Sequence, residues 1–312
     1  MGKRVSRREV IGSITAFSFG ALIAAACGGS QPSGWTEADG NVRVDPLPTE
    51  TATPEPPFVI AAGESEHVLM AGTPQETPMY VFGSGQPGPI VMALGGVHGN
   101  EPGGWLAADE AIESVRPGVG GLIVVPRANV VATRLFERTT EDLGDLNRLY
   151  PGDPEGLPMA RMAAELVDVI RAYHVGTLVD MHESWAFYRD RPQNGTAFLG
   201  QTVTAFQSEP GINLARGVVE TVNARTLSVQ EEFFYRDAPN RSLSMRDPLP
   251  QSTPSNQPGN GITSSSLGIP RWVDGLNVLL VEMGQQQELA RRVALHLDVL
   301  TEVMRQVGTG TA

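Results

Sequence analysis

The chain has 312 residues, of which 41% are hydrophobic and 19% are charged, and it carries a formal net charge of −12. This length and composition allow one large domain or two small ones, and they exclude collagen-like and wholly disordered chains. The acidic balance argues against nucleic-acid binding, because a phosphate backbone requires a basic protein surface.

Two reactive residue types are almost missing from the sequence. The only cysteine is Cys27, and the only lysine is Lys3. The rest of the chain therefore lacks the lysine of a P-loop or a Schiff base, and it lacks thiols for nucleophilic attack, disulfides or zinc binding. Enzymatic chemistry would have to depend on carboxylates, imidazoles, arginines, amides and hydroxyls, or on a metal bound through nitrogen and oxygen.

Residues 1–27 have the features of an export signal. A basic segment precedes the apolar stretch 11–26, which is too short and too rich in small residues for a membrane span. Ser6-Arg7-Arg8 resembles the twin-arginine motif, and Ala24-Ala25-Ala26 before Cys27 resembles a lipobox. The alternative is an ordinary signal peptide with a chance cysteine. We expect lipidation of Cys27, which would anchor the exported protein to the extracytoplasmic face of the cell membrane, with twin-arginine export as the candidate route.

The remaining chain divides into a tether and a folded domain. Residues 28–57 are rich in Gly, Ser, Pro, Thr and Glu and predict a disordered tether. Over 58–312, apolar runs alternate with amphipathic stretches, which indicates an α/β domain with a central, largely parallel mixed β-sheet flanked by helices. The pattern predicts strands at 90–94, 122–125, 177–181 and 278–281, and helices at 102–114, 159–173, 212–223 and 288–307.

One long segment interrupts this alternation. Residues 236–274 contain many Pro, Ser, Asn and Gly residues and show no periodicity. Segments of this kind are either lids over a site or disordered excursions, and both alternatives remain open.

Side chains with metal-binding chemistry follow three of the predicted strands. His98 and Glu101 come after a glycine-rich turn that follows the first strand, His182 follows the third, and Glu282 follows the fourth. The carboxyl ends of parallel strands meet at one edge of a sheet. Two imidazoles and one carboxylate leave the fourth zinc position open for water, and a further carboxylate at 282 is a candidate proton acceptor and donor. Taken singly, each histidine is more simply a hydrogen-bonded residue at a strand end.

A second polar cluster occupies residues 145–152. The guanidinium of Arg148 suits a substrate carboxylate, and Asn147 can fix its geometry. The alternative is a loop arginine paired with Asp145 or Asp142. For Glu183, next to His182, a supporting role at the metal site and a purely structural role both remain open.

Four motifs in this order resemble a known family. His98-Gly-Asn-Glu101, Asp145-Leu-Asn-Arg148 with the following Pro-Gly, Asp180-Met-His182 and Val281-Glu282-Met-Gly284 resemble the succinylglutamate desuccinylase/aspartoacylase branch of the zinc carboxypeptidase (peptidase M14-like) superfamily. The similarity covers about residues 89–289. It implies a layered zinc-carboxypeptidase-like fold and a zinc hydrolase domain over 58–312.

The resemblance also implies roles for individual residues. His98, Glu101 and His182 would bind one zinc ion, and Glu282 would be the general base. Asn147 and Arg148 would hold the substrate carboxylate. A further arginine would stabilise the oxyanion; Arg138, nine residues after Asn129, fits best, and Arg127 and Arg134 are the alternatives.

The implied function is a zinc-dependent amide hydrolase, an N-acyl amino acid deacylase in which metal-bound water attacks an amide near a free carboxylate. The first alternative is a zinc carboxypeptidase that acts on peptides or cell-wall stem peptides. The second is a non-catalytic binding lipoprotein on the same scaffold. In each case the expected partners are a small acylated amino acid or peptide and the membrane, through the lipid anchor.

Overall fold

The computed structural model describes residues 57–190, 197–206, 208–225, 228–237 and 263–312. The predicted export signal, Cys27 and the tether up to residue 56 lie outside the described residues, as do residues 238–262 of the predicted long loop. A compact unit begins at Pro57. None of the described helices is long and apolar enough to cross a membrane.

An eight-stranded mixed sheet forms the centre of this unit, in the order β1-β2-β4-β3-β5-β10-β8-β9. Its four central strands, β4, β3, β5 and β10, are parallel, as expected for strands linked through helices. The antiparallel pairs are β1–β2, β2–β4 and β10–β8. The strands are β1 (Gly63–Leu69), β2 (Thr77–Gly83), β3 (Ile90–Leu94), β4 (Gly121–Val125), β5 (Thr177–Ser184), β6 (Ala186–Phe187), β7 (Phe198–Gly200), β8 (Thr202–Ala205), β9 (Phe234–Asp237) and β10 (Asn277–Gly284), of which β6 and β7 form a separate pair.

Helices cover both faces of the sheet. Alternate residues of the central strands enter two cores because successive side chains of a strand point to opposite faces. The helices are α1 (Pro102–Ser114), α2 (Val130–Leu135), α3 (Pro158–Ala172), α4 (Glu209–Arg225) and α5 (Leu289–Val307). Leu178 and Leu280 belong to the core that contains α3, whereas Val179 and Val281 belong to the core that contains α1, α4 and α5. The predicted fold class, a layered α/β domain with a largely parallel mixed sheet, is confirmed.

Two predicted strands are longer than their apolar runs. β5 and β10 pair in register from Thr177↔Asn277 to Ser184↔Gly284. The prediction that His182 and Glu282 follow their strands is therefore wrong, since both lie inside a strand and face each other across the ladder. Backbone pairing carries the strands past the point where apolar side chains stop.

The predicted loop 236–274 also needs correction at both ends. Residues 236 and 237 belong to β9. Residues 263–269 are buried, and a 3-10 segment covers Ser266–Arg271. Hydrogen bonds hold this stretch, because the Tyr150 N–H donates to the Ser264 carbonyl and the Ser266 N–H donates to Asn147 Oδ1. Hydrogen bonds of this kind leave no hydrophobic periodicity in the sequence, so the sequence pattern could not predict them. The lid hypothesis for 238–262 concerns residues outside the described part of the chain.

Candidate metal centre

The turn after β3 presents the first two predicted ligands. Gly96 has a φ of +67°, and a Cβ there would lie 2.7 Å from the Cα of Arg127, so glycine is required. The chain then places His98 in the turn and Glu101 at the N-cap of α1, where Pro102 starts the helix. Both side chains are nearly buried, with 2% and 5% of the residue exposed.

His98, Glu101 and His182 converge on one point. His98 Nδ1 lies 2.7 Å from Glu101 Oε1, His182 Nδ1 lies 2.8 Å from Glu101 Oε2, and the two Nδ1 atoms are 3.2 Å apart. One ligand atom from each residue lies within 4.8 Å of the others. Among the described residues, these three side chains form the group of His, Cys, Asp or Glu residues that could hold a metal ion. The structure therefore brings together residues that lie up to 84 positions apart.

The donor set fits zinc. Zinc bonds to nitrogen of about 2.0–2.1 Å in a tetrahedral site place neighbouring ligand atoms about 3.3 Å apart, close to the separation of the two imidazole nitrogens here. The outer nitrogens are also held: His98 Nε2 lies 3.2 Å from Asp145 Oδ1, and His182 Nε2 lies 3.0 Å from Asp180 Oδ2. If each Nε2 donates its proton to a carboxylate, the Nδ1 lone pairs face the centre, which is the usual arrangement of metal-binding histidines.

The electrostatic field of the cluster favours a cation. Burial opposes charge on Glu101, but the two imidazoles beside it hold the pKa of its carboxyl well below the usual range. Burial alone would lower the pKa of His182, but the carboxylates of Asp180 and Glu101 raise it well above its ordinary value. In the protein without a metal, a proton on the imidazole supplies the positive charge that these buried carboxylates require.

Among the three candidate oxyanion arginines, Arg138 reaches this cluster. Its guanidinium donates to Glu101 Oε1 at 3.4 Å and to Asp145 Oδ2 at 3.2 Å. Arg127 instead pairs with Asp109 of α1 and lies over the ring of Trp105. Arg134 is exposed at the end of α2.

The predicted substrate-binding pair is linked to the ligands through Asp145, whose Oδ1 accepts the Asn147 N–H at 3.0 Å and lies 3.2 Å from His98 Nε2. Asn147 is buried, and its side-chain oxygen accepts the Ser266 N–H at 3.1 Å. Arg148 donates to the Asn147 carbonyl at 2.6 Å. Among the described ion pairs, Arg148 is not bound to Asp145, whose carboxylate binds His98 and Arg138 instead.

Glu282 faces the same side of the sheet as His182, its register partner. The residue is 9% exposed, and its Oε2 has no hydrogen-bond partner among the described residues. Burial raises the pKa of its carboxyl to about 7; the neighbouring His182 opposes this shift, and the negative charge of Glu101 adds to it. A carboxyl with this pKa can both accept and release a proton near neutral pH.

Sequence reasoning missed the roles of Asp145 and Asp180, which hold the outer nitrogens of the two histidines. A signal exists for Asp180, because its spacing of two from His182 within a strand puts both side chains on one face. No comparable signal exists for Asp145, which lies 47 positions from His98.

Comparison with known proteins gives related sequences over part of the chain. The profile of the Succinylglutamate desuccinylase/Aspartoacylase catalytic domain matches residues 87–186. An N-alpha-acetyl-L-2,4-diaminobutyric acid deacetylase of Halomonas elongata is 33% identical over 109 residues, which is 32% of this chain and 32% of the relative. The match therefore spans about a third of that relative's length.

Solved structures extend the similarity to most of the described domain. The cell shape determinant Csd4 of Helicobacter pylori has a TM-score of 0.61 at 18% identity, covering 72% of this chain and 52% of that one. A succinylglutamate desuccinylase/aspartoacylase from Rhodobacter sphaeroides has a TM-score of 0.51 at 21% identity, covering 75% and 59%. An aspartoacylase family protein from Mesorhizobium loti has a TM-score of 0.56 at 16% identity, covering 82% and 72%. At these identities the likeness establishes a shared fold.

The profile match over residues 87–186 and the deacetylase relative confirm the resemblance to the succinylglutamate desuccinylase/aspartoacylase branch that the sequence motifs show, over about a third of the chain. The solved structures add a shared fold over most of the chain.

Proposed function

We propose that this domain is a zinc-dependent amide hydrolase that removes the acyl group from an N-acyl amino acid with a free carboxylate near the scissile bond. The observation that carries the proposal is the convergence of His98, Glu101 and His182, with the outer nitrogen of each imidazole on a carboxylate. The matched family profile and the deacetylase relative support amide hydrolysis.

His98, Glu101 and His182 would hold one zinc ion, which when bound supplies a Lewis acid and lowers the pKa of water. Glu282 is the proton carrier in this proposal. Its Oε2, which no hydrogen bond from the described residues occupies, accepts a proton from the attacking water and returns it to the leaving nitrogen. The raised pKa of Glu282 matches both steps.

The arginines supply the positive charge that the substrate requires. Arg138 is held beside the cluster by Asp145, and its guanidinium stabilises the negative charge that develops on the carbonyl oxygen. Arg148 binds the free carboxylate, because a planar guanidinium matches two carboxylate oxygens. Asn147 orients that segment through its bond to the Ser266 N–H.

A carboxypeptidase is the second candidate. Csd4, which shares the fold, is described as a D,L-carboxypeptidase and has a tripeptide-bound structure. The same proton carrier and the same arginines would serve peptide cleavage. In both reactions the leaving amino acid carries the free carboxylate, and the two functions differ in the acyl fragment, which is a small acyl group in one and a peptide in the other. The matched profile favours the deacylase.

The experiment is hydrolysis by the purified full chain, measured on matched N-acyl amino acids and short peptides. Each substrate is paired with its methyl ester, which removes the free carboxylate. We expect hydrolysis of an N-acyl amino acid, loss of activity with a chelator, recovery with zinc, and weak hydrolysis of the ester. Preferential cleavage of peptides would favour the carboxypeptidase. Binding of these compounds without cleavage by zinc-loaded protein would contradict both enzymes and favour a binding lipoprotein.

We further propose that the chain is lipid-anchored through Cys27 on the extracytoplasmic face of the membrane. This proposal is supported by the basic segment, the apolar stretch and the position of the sole cysteine. Cys27→Ser in the producing cell should move the protein from the membrane fraction to the soluble fraction. Unchanged membrane association would contradict it.

A further inference from the structure

The start of helix α1, directly after the predicted ligand Glu101, lacks a conventional cap. Glu101 is the N-cap residue, but its side chain makes no capping hydrogen bond. The first N–H groups of a helix need an acceptor when they are buried. The carboxylate of Glu183 faces these groups: a Cβ on Gly103 would lie 2.1 Å from Glu183 Oε1, and the Gly103 N–H acts to lower the pKa of that carboxyl.

Glu183 also contacts the ligand itself. Its backbone N–H donates to Glu101 Oε2 at 3.0 Å, the same oxygen that lies 2.8 Å from His182 Nδ1. Glu183 therefore acts on Glu101 at two points. Its backbone N–H binds the Glu101 carboxylate, and its side chain lies against Gly103 in the first turn of α1, directly after Glu101.

Arg292 of α5 fixes the side chain of Glu183. Its guanidinium nitrogen lies 2.7 Å from both carboxylate oxygens, and its Nε donates to the Gln287 carbonyl at 3.2 Å. The side chains of Glu183 and Arg292 are 0% and 10% exposed. A buried charge without its partner is strongly unfavourable, so this pair determines where the Glu183 carboxylate lies.

We propose that Glu183, clamped by Arg292, is a positioning residue that fixes the carboxylate of Glu101 at the metal centre. The inference rests on the proposed zinc site and is independent of which amide is cleaved. It differs from a merely structural link between α1, β5 and α5, because it predicts that zinc affinity depends on the pair.

The same helix provides a matched control pair. Glu302 of α5 is 2% exposed and binds Arg305 at 2.6 Å and Arg225 at 3.4 Å. These partners lie on α4 and α5, and none is among the proposed ligands or their partners. A change at Glu302 reports on stability without touching Glu101.

The first test shortens each carboxylate by one methylene. Zinc affinity of the full chain is measured by competition with a chromogenic chelator, and unfolding of the metal-free protein is followed by circular dichroism. Glu183→Asp should weaken zinc binding by about 10- to 100-fold, the usual effect of losing a partner of a metal ligand. Glu302→Asp should leave affinity within about twofold. Equal affinity for wild type and Glu183→Asp would overturn the inference.

The second test removes both charges of the pair. Glu183→Leu combined with Arg292→Met should retain most of the stability of the metal-free protein, because apolar residues often replace a buried ion pair without loss. Zinc affinity should nevertheless stay about 10- to 100-fold below wild type. Recovered affinity would assign the pair a purely structural role. If the double variant does not fold, the zinc affinities of Glu183→Asp and Glu302→Asp decide whether Glu183 is a positioning residue. Failure of the wild-type protein to bind zinc would instead refute the proposed metal site itself.

Discussion

Strand β5 is buried along its whole length, but its two halves bury different kinds of side chain. Leu178 and Val179 fill the two cores with apolar side chains. Asp180, His182 and Glu183 are equally buried, and each binds another polar or charged group. Buried charges seldom stabilise a fold relative to apolar residues of similar size. The apolar half therefore supplies stability and the polar half supplies the site, so the two properties should separate experimentally.

The substitution His182→Ala should have the largest effect on the polar half of the strand. Without this imidazole the cluster keeps one nitrogen and one carboxylate ligand, so we expect zinc binding and amide hydrolysis to fall to background. The measurements are metal content after gel filtration and the rate of acyl release. A folded His182→Ala protein that retains one zinc per chain would contradict the ligand assignment.

Glu282→Gln should separate metal binding from proton transfer. The amide keeps the size of the side chain but cannot accept the proton, so kcat should fall by about 10²- to 10⁴-fold, the usual contribution of a general base. Zinc affinity should stay near that of wild type. Retention of wild-type kcat would assign proton transfer to another group.

Leu178→Ala tests the apolar half of the strand. The residue is 1% exposed, and its truncation leaves a cavity in the α3 core. The free energy of unfolding should fall by about 2–5 kcal/mol, as seen for buried leucines. Chemical denaturation gives this value, and chelator competition on the folded protein should show unchanged zinc affinity. A parallel loss of affinity would show that the two halves are not separable.

Asp145→Asn removes the charge that holds both His98 and Arg138. Zinc affinity should fall by about 10- to 100-fold, because the ligating imidazole loses its charged partner. The control is Asp109→Asn, which removes the carboxylate partner of Arg127 away from the ligands. Equal effects of the two substitutions on zinc affinity would contradict the special role of Asp145.

The smallest effect concerns acid stability at α5. The hydrogen bond from Arg305 lowers the pKa of Glu302, against a weaker effect of burial. A lowered pKa in the folded state means that the stabilisation is present above the unfolded pKa of about 4.3 and is lost as pH falls through the folded value. Glu302→Gln should therefore flatten the loss of unfolding free energy below about pH 4.3, by less than about 1 kcal/mol. An unchanged pH dependence would show that the pair contributes nothing.

The sequence predicts the parts of this molecule that depend on local pattern. Continuous apolar runs mark the four parallel central strands, and amphipathic spacing marks helices α1, α3, α4 and α5. Ligand spacing then brings His98, Glu101 and His182 to one edge. These features need only the period of a strand or helix and the parallel direction of the strands.

The remaining features depend on contacts between distant segments. β1 is largely exposed, and β8 consists of buried threonines and small apolar residues, so neither shows a strand-like apolar run. The 3-10 segment at Ser266–Arg271 and Ser264 before it are fixed by bonds to Asn147 and Tyr150, more than a hundred positions away. Arg292 lies 109 positions from Glu183, and no spacing rule links them.

The most direct measurement is anomalous X-ray diffraction at the zinc edge on crystals of the zinc-loaded protein. One anomalous peak per chain, bonded to His98 Nδ1, Glu101 and His182 Nδ1, is the predicted result. A zinc-loaded crystal whose peak lies away from these three side chains would contradict the metal centre.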